Sequence, residues 1–274
     1  MDSLVRLAAQ NIRMPRRSTH SFSPQVTKPS LAFFFPHCIG AVDGSHYPCR
    51  CPIEEQDRYR NRKGQTSMNV CGIVDFTGRW IYMLAGWEGS AHDQRVYNDA
   101  WDTEDLMIPK GSVVLGDGGY GNARRTLVPY RGTRYHLQEY VRNELSPTSK
   151  EELFNLRHSQ LRMVVERAFG RHKQMFKIFG LAPQEGIDTH LKLVYATAAV
   201  MNFVLDYGES NDTSGVPYSN TDLLYGCDSN QPQAANALEP HEYDTDANGP
   251  MNRLREEIAN QMWEEWSGAA HVNN

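Results

Sequence analysis

The segment that decides the fold is Cys38-Ile-Gly-Ala-Val-Asp-Gly-Ser-His-Tyr-Pro-Cys49, an apolar stretch with an acid near its centre. Its composition predicts a strand. Residues 68–76 and 79–87 are two further β-rich segments, and Asp75-Phe-Thr-Gly78 joins them as a hairpin turn. Ser112-Val-Val-Leu-Gly116 is a short buried strand that stops at Asp117. We therefore expect a sheet that combines a tight hairpin with longer connections.

Helical patterns lie between and after these strands. Ser90-Ala-His-Asp93 has the form of a capping box, with Ser90 as the N-cap and Asp93 at the third helical position, and opens a helix to about residue 101. The apolar spacing predicts a long helix from about residue 147 to 176 and another over 189–205. This order predicts a mixed α/β body with at least one strand–helix–strand crossover.

Composition divides the chain into three segments. Residues 1–36 contain a short helical pattern over 4–12, but their prolines and clustered Ser and Thr favour a flexible lead-in. Residues 37–207 form the predicted α/β body. Residues 208–274 form an acidic tail that we expect to be partly disordered over 208–250 and to end in a short helix. The apolar residues of that helix recur every four positions: Leu254, Ile258, Met262 and Trp266.

The formal net charge of −5 is an average over two unlike regions. Residues 1–205 hold 26 Lys and Arg against 20 Asp and Glu, whereas residues 206–274 hold two basic and 13 acidic residues. Residues 1–205 are therefore basic by +6 and residues 206–274 acidic by −11, so the total does not exclude a nucleic-acid partner.

Other global features point to a reduced compartment inside the cell. The chain has no apolar run of about 18 residues and no apolar core of a secretion signal, which predicts no membrane partner. Its five cysteines are irregularly spaced, which favours reduced thiols over a disulfide framework.

Three carboxylates stand where acids are structurally costly. Asp43 lies within the first strand, Asp117 ends a strand and precedes two glycines, and Glu166 follows Met163-Val-Val165 in the long helix. Such oxygen ligands suit Mg²⁺, and two ions about 3.5–4 Å apart can activate a water and stabilise a leaving oxygen. Each acid also has a simpler interpretation: a turn at Asp43, a turn at Asp117, and for Glu166 a solvated pair with Arg162. Spacing alone leaves these alternatives open.

Two other patterns have competing interpretations. Asp93 is better explained as a capping residue than as a catalytic group. Arg58-Tyr-Arg-Asn-Arg-Lys63 contains four cations in six residues, which suits a phosphate-contacting loop, a nuclear-import signal or a solvated loop.

Taken together, the segments resemble the DDE endonuclease domain of the PIF/Harbinger transposase superfamily and its domesticated nuclease relatives. The residues that carry the resemblance are Gly40-Ala-Val-Asp-Gly-Ser-His46, Tyr59-Arg-Asn-Arg-Lys-Gly64 with Ser67-Met-Asn-Val70, Gly89-Ser-Ala-His-Asp93, Leu115-Gly-Asp-Gly-Gly-Tyr120 and the run from Asn155 to Lys173. This series covers about 38–180, over half of the chain.

The resemblance implies an RNase H-like fold, a mixed sheet flanked by helices. It also implies that Asp43, Asp117 and Glu166 bind two Mg²⁺ or Mn²⁺ ions and hydrolyse DNA phosphodiester bonds. Related transposases carry a Tyr, Arg, Glu, Lys signature on the helix; here Arg162, Glu166 and Lys173 match it, while Ser159 replaces the Tyr. The expected DNA-binding residues are Arg162 and Lys173 on the helix and Arg60, Arg62 and Lys63 in the basic loop.

The N-terminal region departs from the family pattern. Only 42 residues precede Asp43, where the family places a helix-turn-helix-like region. In the family a separate Myb-like protein supplies much of the DNA binding and nuclear import, so we expect a nuclear protein with such a partner. The alternatives are a domesticated, catalytically silent chromatin or protein-interaction module and a truncated, inert gene product.

Overall fold

The computed structural model describes residues 2–15, 33–35, 37–122, 124–134, 146–182, 185–207 and 249–272. The elements within these ranges are α1 (Asp2–Asn11), β1 (Cys38–Pro48), α2 (Gln56–Tyr59), β2 (Ser67–Val74), β3 (Trp80–Glu88), α3 (Asp93–Asp102), β4 (Val113–Leu115), β5 (Thr126–Leu127), α4 (Lys150–Met175), α5 (Ile187–Tyr207) and α6 (Gly249–Val272). A 3₁₀ turn, Ile53–Glu55, precedes α2, and another, Lys177–Gly180, follows α4.

The five strands form one mixed sheet in the order β3-β2-β1-β4-β5. β2 is antiparallel to both β1 and β3, whereas β4 and β5 are parallel. The predicted α/β class, a mixed sheet flanked by helices as in an RNase H-like fold, is confirmed.

The β2–β3 hairpin turn forms as its sequence predicts. One carboxylate oxygen of Asp75 accepts hydrogen bonds from the amides of Thr77 and Arg79 at 2.9 and 3.1 Å and from the Thr77 hydroxyl. Gly78 has φ of 83°, a conformation that favours glycine. The turn is therefore stabilised by interactions among its own residues.

The chain divides into two units. The first comprises Met1–Arg17, Gly40–Pro109 and Val164–Gly208, and the second comprises Ser18–Ile39, Lys110–Met163 and Glu209–Asn274. Both β1 and α4 contribute residues to each unit. Each unit is described by itself below.

In the first unit, α5 is bonded to β3 through buried amides. The Asn202 side chain accepts a hydrogen bond from the Trp80 N–H and donates one to the Trp80 carbonyl, both at 2.8 Å. Such a pair satisfies the main chain of a buried strand that would otherwise lose hydrogen bonds. α1 packs along α5, with Asp2 paired to Lys192 at 3.1 Å. The helical pattern seen over residues 4–12 thus forms a docked helix.

In the second unit, α6 packs against β5 and the segment that follows it. The guanidinium of Arg255 lies 4.2 Å from the centre of the Tyr130 ring and donates to the carbonyls of Val128 and Pro129, each at 3.2 Å. The Tyr130 hydroxyl donates to Glu256 at 2.8 Å. The predicted terminal helix is thus longer than its apolar pattern suggested, and it forms part of a packed unit.

Two further expectations have a defined outcome. The predicted capping box at Ser90 is wrong, because α3 begins at Asp93 with His92 as its N-cap and no side-chain capping bond. The predicted flexibility of most of the lead-in and of 208–248 lies outside the described residues. Within the ranges that are described, no helix is long and apolar enough to cross a membrane.

Candidate functional site

Asp43 lies inside β1 and not in a turn. It stands opposite Gly72 in the antiparallel register with β2, and its Oδ1 accepts a hydrogen bond from the N–H of Gly44 at 2.9 Å. The interpretation of Asp43-Gly44 as an ordinary turn is therefore wrong, because β1 continues to Pro48. The side chain is half-buried, so an acid is retained in a strand whose preceding residues are fully buried.

Aromatic rings fill the sheet face that carries Asp43. A Cβ at Gly72 would lie 2.6 Å from a ring carbon of Trp80 and 3.0 Å from the ring of Phe169. Those two rings meet edge-on, with centroids 4.8 Å apart. Directly opposed residues of paired strands share a face, so α4, which carries Phe169, covers the face of Asp43.

Glu166 lies on that same part of α4, three residues before Phe169 and within the first unit. Its side chain is exposed, whereas Val165, Ala168 and Phe169 are buried. An exposed carboxylate at this position suits a cation ligand and also a solvated helix residue. Both interpretations of Glu166 therefore stay open.

Lys173, two turns further along α4, is bound to β1. Its ammonium donates to the Ser45 hydroxyl at 2.6 Å and to the His46 carbonyl at 2.8 Å, and it lies 4.6 Å from the centre of the Tyr47 ring. Burial lowers the pKa of Lys173 to about 8, and the neighbouring charge of Lys63 contributes. The lysine thus holds the segment of β1 that follows Asp43.

A buried hydrogen-bond chain fixes the same strand to α4 and α5. The Thr197 hydroxyl donates to the Leu193 carbonyl at 2.6 Å, so it accepts from Nε2–H of His172, 2.8 Å away. Nδ1 of His172 then accepts from the Tyr47 hydroxyl at 2.7 Å. Burial lowers the pKa of His172 to about 3, so the ring is neutral, and its hydrogen bonds select the tautomer. We call Tyr47, His172, Lys173 and Thr197 the β1 clamp.

Asp93 turns its carboxylate toward β1. The buried side chain of Asn69 donates to Asp93 Oδ1 at 2.8 Å and to the Ala91 carbonyl at 3.0 Å. A Cβ at Gly44 would collide with the Asp93 carboxylate. Burial raises the pKa of the Cys71 thiol, and the charges of Asp93 and Asp43 raise it further. The Asp93 carboxylate therefore lies against β1 at Gly44.

The basic loop is an ordered turn. The Asn61 side-chain oxygen accepts from the amides of Lys63 and Gln65 at 2.9 and 3.1 Å, and the Asn61 amide donates to the Ser67 hydroxyl at 3.0 Å. Gly64, with φ of 76°, closes the turn. The cations Arg58, Arg60, Arg62 and Lys63 are exposed, and Arg62 is hydrogen-bonded to His92 Nδ1 at 2.6 Å.

Asp117 belongs to the second unit, where it lies two residues after the end of β4. Its Oδ1 accepts from the N–H of Gly119 at 2.8 Å, and its carbonyl accepts from the N–H of Tyr120 at 3.1 Å. Gly118 and Gly119 are exposed. The predicted strand end is confirmed. Asp117 lies in a turn beside two exposed glycines, which have no side chains.

A family model described as DDE superfamily endonuclease matches residues 42–202, more than half of the chain. The chain belongs to this family. The matched region contains Asp43, Asp117 and Glu166. The predicted resemblance to the Harbinger-type, transposase-derived proteins is confirmed by this match and by the relatives below.

Several curated proteins are similar to this DDE superfamily endonuclease chain. "Putative nuclease HARBI1" of Rattus norvegicus is 29% identical over 168 residues, 61% of this chain and 44% of that protein. Its Homo sapiens counterpart is 28% identical over 172 residues, 61% and 45% of the two chains. "Protein ALP1-like" of Arabidopsis thaliana is 23% identical over 190 residues, 62% and 44%. The chain thus spans under half the length of these relatives. No solved structure matches it.

The donor types of the predicted DDE site fit a divalent metal. Asp43, Asp117 and Glu166 offer only carboxylate oxygens, which suit Mg²⁺ or Mn²⁺. No preformed group of three or more His, Cys, Asp or Glu side chains with metal-binding geometry occurs among the residues described. Asp43 and Glu166 belong to the first unit and Asp117 to the second. The three residues therefore fit a divalent cation by the type of their donor atoms.

Sequence reasoning missed the orientation of Asp93. Ser-x-x-Asp is the usual form of a capping box, while the residue that binds the Asp93 carboxylate, Asn69, lies 24 residues earlier. Arg162 was expected to contact DNA, yet it is only 9% exposed. That expectation stays a prediction, as does the one for Lys173.

Proposed function

We propose that this chain is a divalent-metal-dependent endonuclease domain that hydrolyses DNA phosphodiester bonds. The observation that carries the proposal is the DDE superfamily endonuclease match over 42–202, with an acid at each of three places typical of such a site. Asp43 is on a strand, Asp117 at a strand end and Glu166 on the exposed side of a helix.

In the proposed mechanism, the three carboxylates would hold two Mg²⁺ or Mn²⁺ ions, which would supply the activation of an attacking water and the stabilisation of the leaving oxygen. The Gly44 amide orients the carboxylate of Asp43, and the Gly119 amide orients that of Asp117. The β1 clamp maintains the position of the strand that carries Asp43.

The basic loop is proposed to contact the phosphate backbone of DNA. Arg60, Arg62 and Lys63 are exposed on a turn whose own hydrogen bonds define its shape, so little loop entropy is lost on binding. Arg162 and Lys173 are weaker candidates for direct contact, because Arg162 is buried and the ammonium of Lys173 is bound to β1.

We also propose nuclear action with a separate Myb-like DNA-binding protein as partner. The support is the exposed basic loop, whose composition also suits an import signal. In cells, a fluorescent fusion of the chain should accumulate in the nucleus, and Arg60→Ala with Arg62→Ala and Lys63→Ala should reduce this. Equal distribution of both fusions would remove the support.

Nicking of supercoiled plasmid DNA tests the nuclease proposal. With Mg²⁺ or Mn²⁺ the purified protein should convert supercoiled to nicked DNA, and EDTA should stop it. Asp117→Asn should lower the rate at least about a hundredfold, because the metal supplies several kcal/mol of transition-state stabilisation.

Asp102→Asn is the matched control, since it removes the same charge from an exposed position on α3. It should keep the wild-type rate. Identical residual cleavage by wild type and Asp117→Asn would mean that a contaminant cuts the DNA and that the proposal is wrong.

The second candidate is a catalytically silent, transposase-derived chromatin or protein-interaction module. The absence of a preformed three-residue metal group among the described residues favours it. Such a module would bind no Mn²⁺ at millimolar concentration in isothermal titration, whereas the endonuclease would.

A further inference from the structure

The four cations of the basic loop differ in their partners. Arg58 and Arg60 each lie within ion-pair distance of a carboxylate. Arg62 and Lys63 are exposed, and in the part of the chain that the structure describes no carboxylate forms an ion pair with either of them. Two adjacent cations without an acid produce a local positive potential, which attracts an anion.

An exposed histidine lies beside the first of these two cations. Nη2 of Arg62 is 2.6 Å from Nδ1 of His92. Because a guanidinium can only donate, Nδ1 is the acceptor, and the ring proton of the neutral imidazole is on Nε2. His92 therefore adds an N–H donor to the donors of Arg62, and both side chains are exposed.

A second exposed histidine, His46, lies on β1 against the same loop. The Asn61 amide donates to the Ser67 hydroxyl at 3.0 Å, and that hydroxyl oxygen lies 3.1 Å from Nδ1 of His46. His46 stands opposite Asn69 in the register of β1 with β2, and the Asn69 amide donates to the carbonyl of the residue before His92. The loop and the segment before α3 are thus both hydrogen-bonded around the end of β1 that carries His46.

The charges around His46 are mostly positive. Partial burial of the ring lowers the pKa of His46, and the charge of Asp93 raises it. Three cations lower this pKa further: Lys173, Lys63 and Arg62. The two loop cations are therefore close enough to act on the ring. An anion bound beside them offsets their charge, so its binding favours uptake of a proton by the ring.

We propose that Arg62, Lys63, His92 and His46 form a binding site for a phosphate of the DNA backbone. Arg62 and Lys63 supply permanent charge, His92 donates from Nε2, and His46 contributes a charged donor when it is protonated. A backbone phosphodiester keeps its single charge near neutral pH, so the titrating group is on the protein. This inference rests on the proposed function, because it defines where the basic loop meets DNA.

The pH dependence of DNA affinity tests the site, measured by fluorescence anisotropy with a short duplex, in EDTA and at constant ionic strength. Wild type should bind about three- to tenfold more tightly at about pH 6 than at about pH 7, tenfold being the limit for one proton. His46→Gln should reduce this gain to less than about twofold. His37→Gln, the matched change in the second unit, should keep it. Lys173, with a pKa of about 8, stays charged over this range.

NMR titration of the His46 ring in the wild-type protein tests the same site without a substitution. Addition of the duplex should raise the pKa of His46 by at least about 0.5. Inorganic phosphate at equal ionic strength is the second arm of this experiment. A rise with inorganic phosphate but not with the duplex would overturn the assignment to DNA.

His92→Ala tests the neutral donor. It should weaken binding of the duplex a few-fold and leave the gain on acidification unchanged, because Nδ1 of His92 accepts from Arg62 and stays unprotonated. Wild-type affinity in this variant would overturn the role of His92.

The outcomes separate the phosphate site from the nuclease proposal. Wild type that nicks DNA but binds it equally well at both pH values overturns the phosphate site alone, and so does an undiminished gain in His46→Gln. Wild type that neither binds nor nicks DNA overturns both.

Discussion

Asp43 and Asp117 are both acids of the proposed site, yet the surroundings that hold them differ. Asp43 sits in an eleven-residue strand that the β1 clamp, Gly72 and two aromatic rings fix in place. Asp117 follows a three-residue strand and is held by a local turn with exposed glycines. The position of Asp43 therefore depends on the core, whereas that of Asp117 depends on a few main-chain bonds. Substitutions should separate these two kinds of support.

Acidification should produce the largest loss of folding stability, and it should affect both units. Burial lowers the pKa of His172 and of His158 to about 3 and that of His190 to about 4, from a usual value of 6.5. The unfolded chain binds protons below pH 6.5 while the folded chain does not. Stability should therefore fall from about pH 6.5 toward pH 3, by about 1.4 kcal/mol per pH unit for each histidine.

Urea unfolding at pH 7.5 and 5.0 measures this slope. His190→Leu is the matched variant, because neither ring nitrogen of His190 has a hydrogen-bond partner among the described residues, so the substitution loses no hydrogen bond found there. The free energy of unfolding of this variant should fall less steeply with decreasing pH than that of wild type. The difference should equal the contribution of about one histidine. Stability that does not change between these pH values would contradict the buried neutral histidines.

Gly72→Val should strongly destabilise the strand support of Asp43. The added side chain would collide with the rings of Trp80 and Phe169, and overpacking of this kind costs about 3 kcal/mol. Gly118→Ala is the matched change beside Asp117, where the nearest atom to a new Cβ lies 4.0 Å away on Pro129. It should change the free energy of unfolding by less than about 0.5 kcal/mol. Equal effects of the two variants would remove the contrast between core and turn.

Tyr47→Phe should destabilise the strand that carries Asp43 less than Gly72→Val does. It removes the donor to Nδ1 of His172 and leaves a buried acceptor unsatisfied, which costs about 1–2 kcal/mol. Chemical denaturation gives the value, with Tyr207→Phe as an exposed control. A Tyr47→Phe protein as stable as the control would show that the clamp contributes nothing.

The smallest effects concern DNA affinity. Lys63→Ala should weaken DNA binding a few-fold and lower the slope of log K against log salt by about one, as the loss of a phosphate contact predicts. Lys173→Met should leave that slope unchanged, because its ammonium is bound to Ser45 and the His46 carbonyl. Fluorescence anisotropy at several salt concentrations measures both slopes. The reverse pattern would make Lys173 the phosphate contact.

The same contrast explains how much could be predicted from sequence. Features with local causes were predicted correctly: the apolar strand around Asp43, the Asp75 hairpin turn, the strand end at Asp117 and the long apolar helices. The two-residue β5 and the short α2 were not predicted, because neither is long enough to show a periodic pattern.

Features that depend on distant partners were wrong or absent. Asp93 matches the capping pattern in sequence, but a hydrogen bond from Asn69 on another element decides its orientation. The hydrogen bonds of Lys173 to β1 had no sign in the sequence, and its expected DNA contact stays a prediction. Likewise, the apolar pattern of the terminal helix did not show that Arg255 and Glu256 would join it to Tyr130.

The central claim is that Asp43 and Asp117 serve one metal-dependent reaction, and double-mutant kinetics test it most directly. Mn²⁺-dependent nicking would be measured for Asp43→Asn, Asp117→Asn and the double variant, with melting curves to confirm folding. The account predicts that each single change removes at least about 99% of the metal-dependent rate and that the double variant is no slower than the slower single one, because residues acting as a unit are not additive. A folded single variant that keeps its metal-dependent rate would contradict it.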